Sequence, residues 1–152
     1  MRIVIAADHN AVALKDQLIK VLAEAGHDID DIGCHGDTIV DYPPLCAAVG
    51  TKVASGAADR GIVLGGSGSG EQMACNKIAG VRAGVCHELF TAKIARTNND
   101  ANVLIIGAKI VAPALAEMIT NLWLTTPFQG GRHQDRLDQI AAIERGEVLE
   151  LG

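Results

Sequence analysis

The chain has few aromatic residues. Phe, Trp and Tyr make up 3% of its 152 residues, so Ala, Val, Ile and Leu must fill the interior. Positive charge is scarce too. Thirteen Lys and Arg face 18 Asp and Glu, the net charge is −5, and no long basic run occurs. That argues against nucleic acid and against an anionic membrane as partners. Any phosphate site must be built locally from a few cations. No apolar run is long enough to span a bilayer. The apolar residues 1–7 are too short for a secretory signal, and Asp8 and His9 follow at once. The four cysteines, Cys34, Cys46, Cys75 and Cys86, show no CxxC spacing. They read as reduced, mostly buried thiols of a cytoplasmic protein, not as a disulfide or metal framework. His27, His35 and His87 show no metal-ligand spacing and read as surface or loop residues.

What the chain does have is apolar content and a regular alternation. Hydrophobic residues make up 49%, which fits one globular domain over residues 1–152 with a real core. Short runs rich in Ile and Val read as strands at 2–7, 27–32, 61–64, 81–86 and 103–107. Amphipathic stretches between and after them read as helices at 11–25, 44–55, 71–77, 89–98, 113–124 and 133–145. Strands that are apolar throughout and separated by helices predict a parallel sheet covered on both faces. Ligands of such sheets bind beyond the C-terminal strand ends, at the switch in strand order. Asp8-His9, the segment 65–71 and Lys109 all fall at such ends, so three polar clusters share one rim. The segment after Gly146 reads as frayed.

The segment Gly61-Ile-Val-Leu-Gly-Gly-Ser-Gly-Ser-Gly-Glu71 is the most informative. A buried-strand run opens into a glycine-rich turn and then a helix. Glycine lets the backbone approach a ligand closely, and a turn feeding a helix aims free N–H groups at one spot. A carboxylate beside that spot, Glu71, could remove a proton while the N–H groups hold the charge that develops. The other readings are specific. A dinucleotide fingerprint would need a small residue at Glu71 and would follow the first strand. No GK[ST] ends the loop, so it is not a P-loop. A plain tight turn also uses glycine, and an acidic residue in a first helical turn can be a solvated cap.

Two further motifs carry chemistry. Asp8-His9 could bind a sugar hydroxyl and a phosphate oxygen, or Asp8 could cap a helix. In Gly130-Gly131-Arg132-His133-Gln134-Asp135-Arg136, the two arginines are spaced i, i+4 and share a helix face. Two guanidiniums side by side suit an anion between them. Alternatively, they pair with Asp135 or Asp138 on a solvated helix. Asn98-Asn99-Asp100 reads as a helix-ending polar turn.

Together these residues resemble the type B ribose-5-phosphate isomerase family, which includes galactose-6-phosphate isomerase subunits. The landmarks are Ala7-Asp8-His9, Asp41-Tyr42-Pro43, Gly66-Ser67-Gly68-Ser69-Gly70, Ala74-Cys75-Asn76-Lys77, Asn99-Asp100-Ala101-Asn102 and Gly130-Gly131-Arg132-His133-Gln134. The resemblance implies a three-layer Rossmann-like α/β fold with a five-stranded parallel sheet. It also implies aldose–ketose isomerisation of a sugar phosphate with no metal or other cofactor, and a homodimer or tetramer with sites at the subunit interface. Part of the family uses a cysteine base where this chain has Gly65. Another part uses a glutamate where Glu71 stands. Carried over by position, Glu71 moves the proton, the N–H groups of Ser67, Gly68, Ser69 and Gly70 hold the enediolate, and Ser67 relays protons between O1 and O2. Arg132 and Arg136 of the partner grip the phosphate with His9. Lys109 stands where an arginine is usual. Asp8, Tyr42, Gly66 and Asn99 contact the substrate.

Asn98 is a departure, because members acting on ribose 5-phosphate carry a ring-opening histidine there. An amide does not titrate near neutrality. Either another group, such as His133, opens the ring, or the substrate arrives open, as a tetrose 4-phosphate does. The rivals are a non-catalytic phosphate- or nucleotide-binding module and a subunit that works only with an unlike chain.

Overall fold

The computed structural model describes residues 1–150. Five strands alternate with helices: β1 (Arg2–Ala7), α1 (Val12–Glu24), β2 (Asp28–Asp31), α2 (Tyr42–Ala54), β3 (Arg60–Gly65), α3 (Ser69–Cys75), β4 (Ala83–Val85), α4 (Leu89–Thr97) and β5 (Val103–Gly107). Two helices follow, α5 (Pro113–Thr125) and α6 (Arg132–Glu144). The sheet order is β2-β1-β3-β5-β4 and every neighbouring pair is parallel. The order reverses between β1 and β3, which makes the gap above their C-terminal ends the switch point.

Successive strand residues point to opposite faces, and both faces are buried. Ile3, Ile5, Ile62, Leu64, Leu104 and Ile106 pack with Leu14, Leu18 and Leu22 of α1, Ala92 of α4, and Ile119 and Trp123 of α5. On the other face Val4, Ala6, Val63, Val103 and Ile105 meet Cys46, Val49 and Val53 of α2 and Cys75 of α3. This is the expected three-layer α/β sandwich, filled by aliphatic residues. Trp123 is fully buried, and the Arg96 guanidinium lies 5.5 Å from its ring centroid.

Most boundaries shift by one or two residues, and three places have a local cause. α3 starts at Ser69, not at 71, because Gly68 takes φ +82° and ends the turn early. β4 is three residues, not six. At its outer edge the Asn76 side chain stands in for a strand: Asn76 Oδ1 accepts from Ala83 N at 2.9 Å and Nδ2 donates to Ala83 O at 2.9 Å. In the polar turn after α4, Asp100 takes the left-handed conformation, at φ 41°. Its carboxylate accepts from Arg96 at 2.7 Å and from Arg82 at 3.0 Å, which fixes the turn that carries Asn98 and Asn99. After Gly146, residues 147–150 have no regular structure, though Glu147 accepts from Arg145.

Candidate active site

The C-terminal strand ends bring four chain segments together. Asp8, His9 and Asn10 follow β1, the 66–70 loop follows β3, His87 follows β4 and Lys109 follows β5. Main-chain bonds tie them. Asp8 N donates to Leu64 O at 3.0 Å, Ala108 N to Gly65 O at 2.8 Å, and Lys109 N to Gly66 O at 3.0 Å. Tyr42 reaches the loop from the start of α2. A Cβ on Gly70 would lie 2.5 Å from the Tyr42 hydroxyl, so only glycine lets the two elements meet.

Glu71 lies in the first turn of α3 and is turned inward, 4% exposed. It is therefore not a solvated cap. Its carboxylate occupies the space that a side chain at Gly65 would need: a Cβ built there would overlap Glu71 Oε1. The carboxylate thus sits at the very end of β3, at the switch point. Among the described residues it makes no hydrogen bond or ion pair. Its charge is felt by the buried Cys46 thiol. The neighbouring Cys75 thiol first, then burial, then Glu71, push that thiol well above its ordinary range.

The loop presents its amides beside this carboxylate. Ser69 N donates to Ser67 Oγ at 3.3 Å. The N–H groups of Ser67, Gly68 and Gly70 find no acceptor among the described residues. Gly107 supports the turn from below, since a Cβ on it would meet Ser67 O at 2.7 Å. A buried acid with unpaired amides around it can take a proton from carbon and hold the resulting oxyanion.

Asp8 does not cap α1. The N-cap is Ala11, without a side-chain bond, and both Asp8 oxygens accept from Asn10 at 2.8 Å. His9 is half-buried, and Val40 N points at its Nδ1 from 3.4 Å. His87 is not a simple loop residue. Its Nε2 accepts from Gly107 N at 3.1 Å, capping a donor that the short β4 leaves unpaired. Neither Asn10 nor His87 carries a motif. Asn10 was findable only by its place next to Asp8-His9, and His87 by its place just beyond a strand end.

The remaining candidates lie at the opposite rim. Helix α4 runs back from β4, so Asn98 and Asn99 reach the N-terminal strand ends. There Arg82 Nε bonds Asn99 O at 3.3 Å and Gly61 N bonds Asn102 O at 2.9 Å. Gln129 N bonds Thr97 O at 3.0 Å, which brings the start of α6, with Arg132, His133 and Arg136, to the same end. The 5 residues of β5, at about 3.3 Å each, separate the rims by roughly 16 Å. Within one chain, Asn98 and Asn99 therefore do not join Glu71. The alternation of strand and returning helix in the sequence already carries this. Asn98 Oδ1 accepts from Thr97 Oγ1 at 2.9 Å. Arg132 and Arg136 are exposed and, among the described residues, pair with neither Asp135 nor Asp138. A cavity of about 530 Å³ is lined by Gln72, Asn76, Arg82, Asn99, Ile140 and Ile143, and neither Arg132 nor Arg136 lines it.

Among the described residues no three His, Cys, Asp or Glu side chains are placed to hold a metal, and no helix is long and apolar enough to cross a membrane. A sequence profile described as Ribose/Galactose Isomerase matches residues 3–140. Ribose-5-phosphate isomerase B of Escherichia coli is 40% identical over 144 residues, 95% of this chain and 97% of that protein. The solved ribose-5-phosphate isomerase B of Clostridium thermocellum superposes with a TM-score of 0.95 at 42% identity, over 96% of this chain and 99% of that one. That of Mycoplasma genitalium, solved with bound ribulose-5-phosphate, gives 0.91 at 35% identity, over 95% and 96%. The chain belongs to the ribose/galactose isomerase family.

Proposed function

We propose that the chain interconverts aldose and ketose phosphates, with ribose 5-phosphate and ribulose 5-phosphate as the leading pair. The observation that carries this is the buried Glu71 carboxylate at the end of β3, beside unpaired loop amides. Glu71 takes the proton from C2 of the open aldose and returns it to C1. The amides of Ser67, Gly68 and Gly70 hold the enediolate oxygen between the two transfers. Ser67 Oγ passes the second proton from O2 to O1, so atoms and charge balance. The base contributes about 10²–10⁴-fold. Each amide contributes about 10²–10³-fold, by analogy with acyl transfer.

The site needs two protomers. Asp8, His9, Tyr42, Gly66 and Lys109 of one protomer form the floor. Arg132, His133 and Arg136 of its partner close over the phosphate, and the partner's Asn98 and Asn99 face the sugar. The unpaired arginine pair and the roughly 16 Å between rims favour this sharing over a site within one chain. A dimer, or a tetramer built of two such dimers, satisfies it. Four buried free thiols suit the cytoplasm.

One residue favours a second substrate. Asn98 cannot shuttle a proton to open a furanose ring. A tetrose 4-phosphate, such as erythrose or erythrulose 4-phosphate, has its O4 esterified and needs no opening. A panel of sugar phosphates in D2O tests the proposal. Product carrying solvent deuterium is expected, and no turnover of any aldose phosphate would refute it.

A further inference from the structure

Asn10 stands in the middle of the upper cluster. Its main-chain N–H donates to Asp8 Oδ1 at 2.8 Å, and its side-chain Nδ2 donates to Asp8 Oδ2 at 2.8 Å. One residue therefore holds both oxygens of a buried carboxylate. The same Nδ2 lies 3.2 Å from His9 Nε2. An amide NH2 has two hydrogens, enough for Asp8 and His9 together. The opposite amide orientation would set Asn10 Oδ1 against the Asp8 carboxylate, so Asp8 fixes which way the group faces. Asn10 also borders the glycine loop. A Cβ on Gly66 would be 3.8 Å from its Cγ and Nδ2, and 3.6 Å from Lys109 Cδ.

His9 is contested. Asn10 Nδ2 faces its Nε2 at 3.2 Å and Val40 N faces its Nδ1 at 3.4 Å. A neutral imidazole has one lone pair, so only one of these contacts is a hydrogen bond at a time. The Asn10 contact is shorter, and its amide is already anchored by Asp8.

We infer that Asn10 is a positioning residue of the proposed sugar-phosphate site, clamping Asp8 and holding His9 as the Nδ1–H tautomer. The inference rests on that functional reading for its kinetic consequence but not for the tautomer. With Nε2 accepting from Asn10, the imidazole Nδ1–H and the Val40 N–H, whose nitrogens lie 3.4 Å apart, are two donors left without an acceptor. A substrate oxygen entering there supplies the missing acceptor, so the clamp orients Asp8 and His9 for binding and leaves the carbon chemistry to Glu71.

The test uses the full-length protein. Nitrogen NMR of His9 at mildly alkaline pH, assigned against a His9→Gln variant, reads the tautomer. Wild type should show Nδ1–H. Asn10→Ala should switch to Nε2–H, with Val40 N–H then bonded to Nδ1. In Asn10→Ala, KM for the sugar phosphate should rise about 10-fold while kcat changes little, the loss of a charge-assisted bond from uniform binding. Asn10→Asp keeps the shape without the donor and should raise KM at least as much; wild-type kinetics in it would mean that Asn10 only fills space, and would overturn the inference. Wild type already in the Nε2–H tautomer, or Asn10→Ala with unchanged KM, would overturn it as well. A chain that turns over no sugar phosphate would sink the proposed function alone, and the tautomer measurement would still decide the role of Asn10.

Discussion

Replacing Gly65 with alanine tests where the Glu71 carboxylate sits. A Cβ at residue 65 overlaps Glu71 Oε1, and Glu71 Cδ would be in contact too. The strand cannot give, because Gly65 pairs with Gly107 and its carbonyl accepts from Ala108 N at 2.8 Å. The glutamate side chain must move. Displacing a reacting group by about 1 Å costs about 10²-fold, or about 2.7 kcal/mol of transition-state stabilisation. Gly65→Ala should therefore lower kcat about 10²-fold and leave KM nearly unchanged, with little loss of Tm. Gly84→Ala in β4, outside the proposed site, is the control, since its Cβ would meet nothing closer than 3.4 Å; it should retain most of its turnover. In a Glu71→Ala background, Gly65→Ala should cost nothing further, because the side chain it collides with is gone. Ketose formation followed for the four proteins gives the coupling directly. Wild-type kcat in Gly65→Ala, or additive losses in the double variant, would refute the placement.

Four other outcomes follow. Arg136→Ala should raise KM for phosphorylated substrates and spare unphosphorylated sugars, with equal losses on both counting against a phosphate role. Mixing Arg136→Ala with Glu71→Gln at low substrate should recover up to about a quarter of wild-type activity, because random pairing gives half hybrid dimers, each with one intact site; no recovery would argue against a shared site. The ratio of kcat/KM for erythrose 4-phosphate over ribose 5-phosphate should exceed one if Asn98 sets the substrate, and a clear preference for ribose 5-phosphate removes that reading. Burial, and then the charge of Glu88, push the Cys86 thiol up to about 12, and the Cys46 thiol is raised as well. A raised pKa keeps both protonated from neutral to mildly alkaline pH, so iodoacetamide should leave activity intact and label them only after denaturation. Rapid inactivation by the reagent would contradict this.

The sheet was legible because Ile- and Val-rich runs buried on both faces have few other uses. β5 and β1 fall where their apolar runs do, while β4 is halved because Asn76 occupies its outer edge. The glycine loop and Glu71 were legible as a motif. The inward turn of Glu71 was not, since it depends on the empty space at Gly65, a contact set by packing and not by spacing. Asn10 and His87 escaped notice for the opposite reason: each makes one or two side-chain bonds to main chain or to a neighbour and leaves no periodic trace. The grouping of Asn98 and Asn99 with Arg132 and Arg136, away from Glu71, follows from the return direction of α4 and the bond between Gln129 and Thr97.

The role assigned to Glu71 is to carry the proton between two carbons of the substrate. Glu71→Gln keeps the size and the burial but removes the base. Turnover and deuterium uptake from D2O, measured together on the same sugar phosphate, should both fall by roughly 10²-fold or more with little change in KM. Turnover and deuterium uptake near wild type in that variant would contradict it.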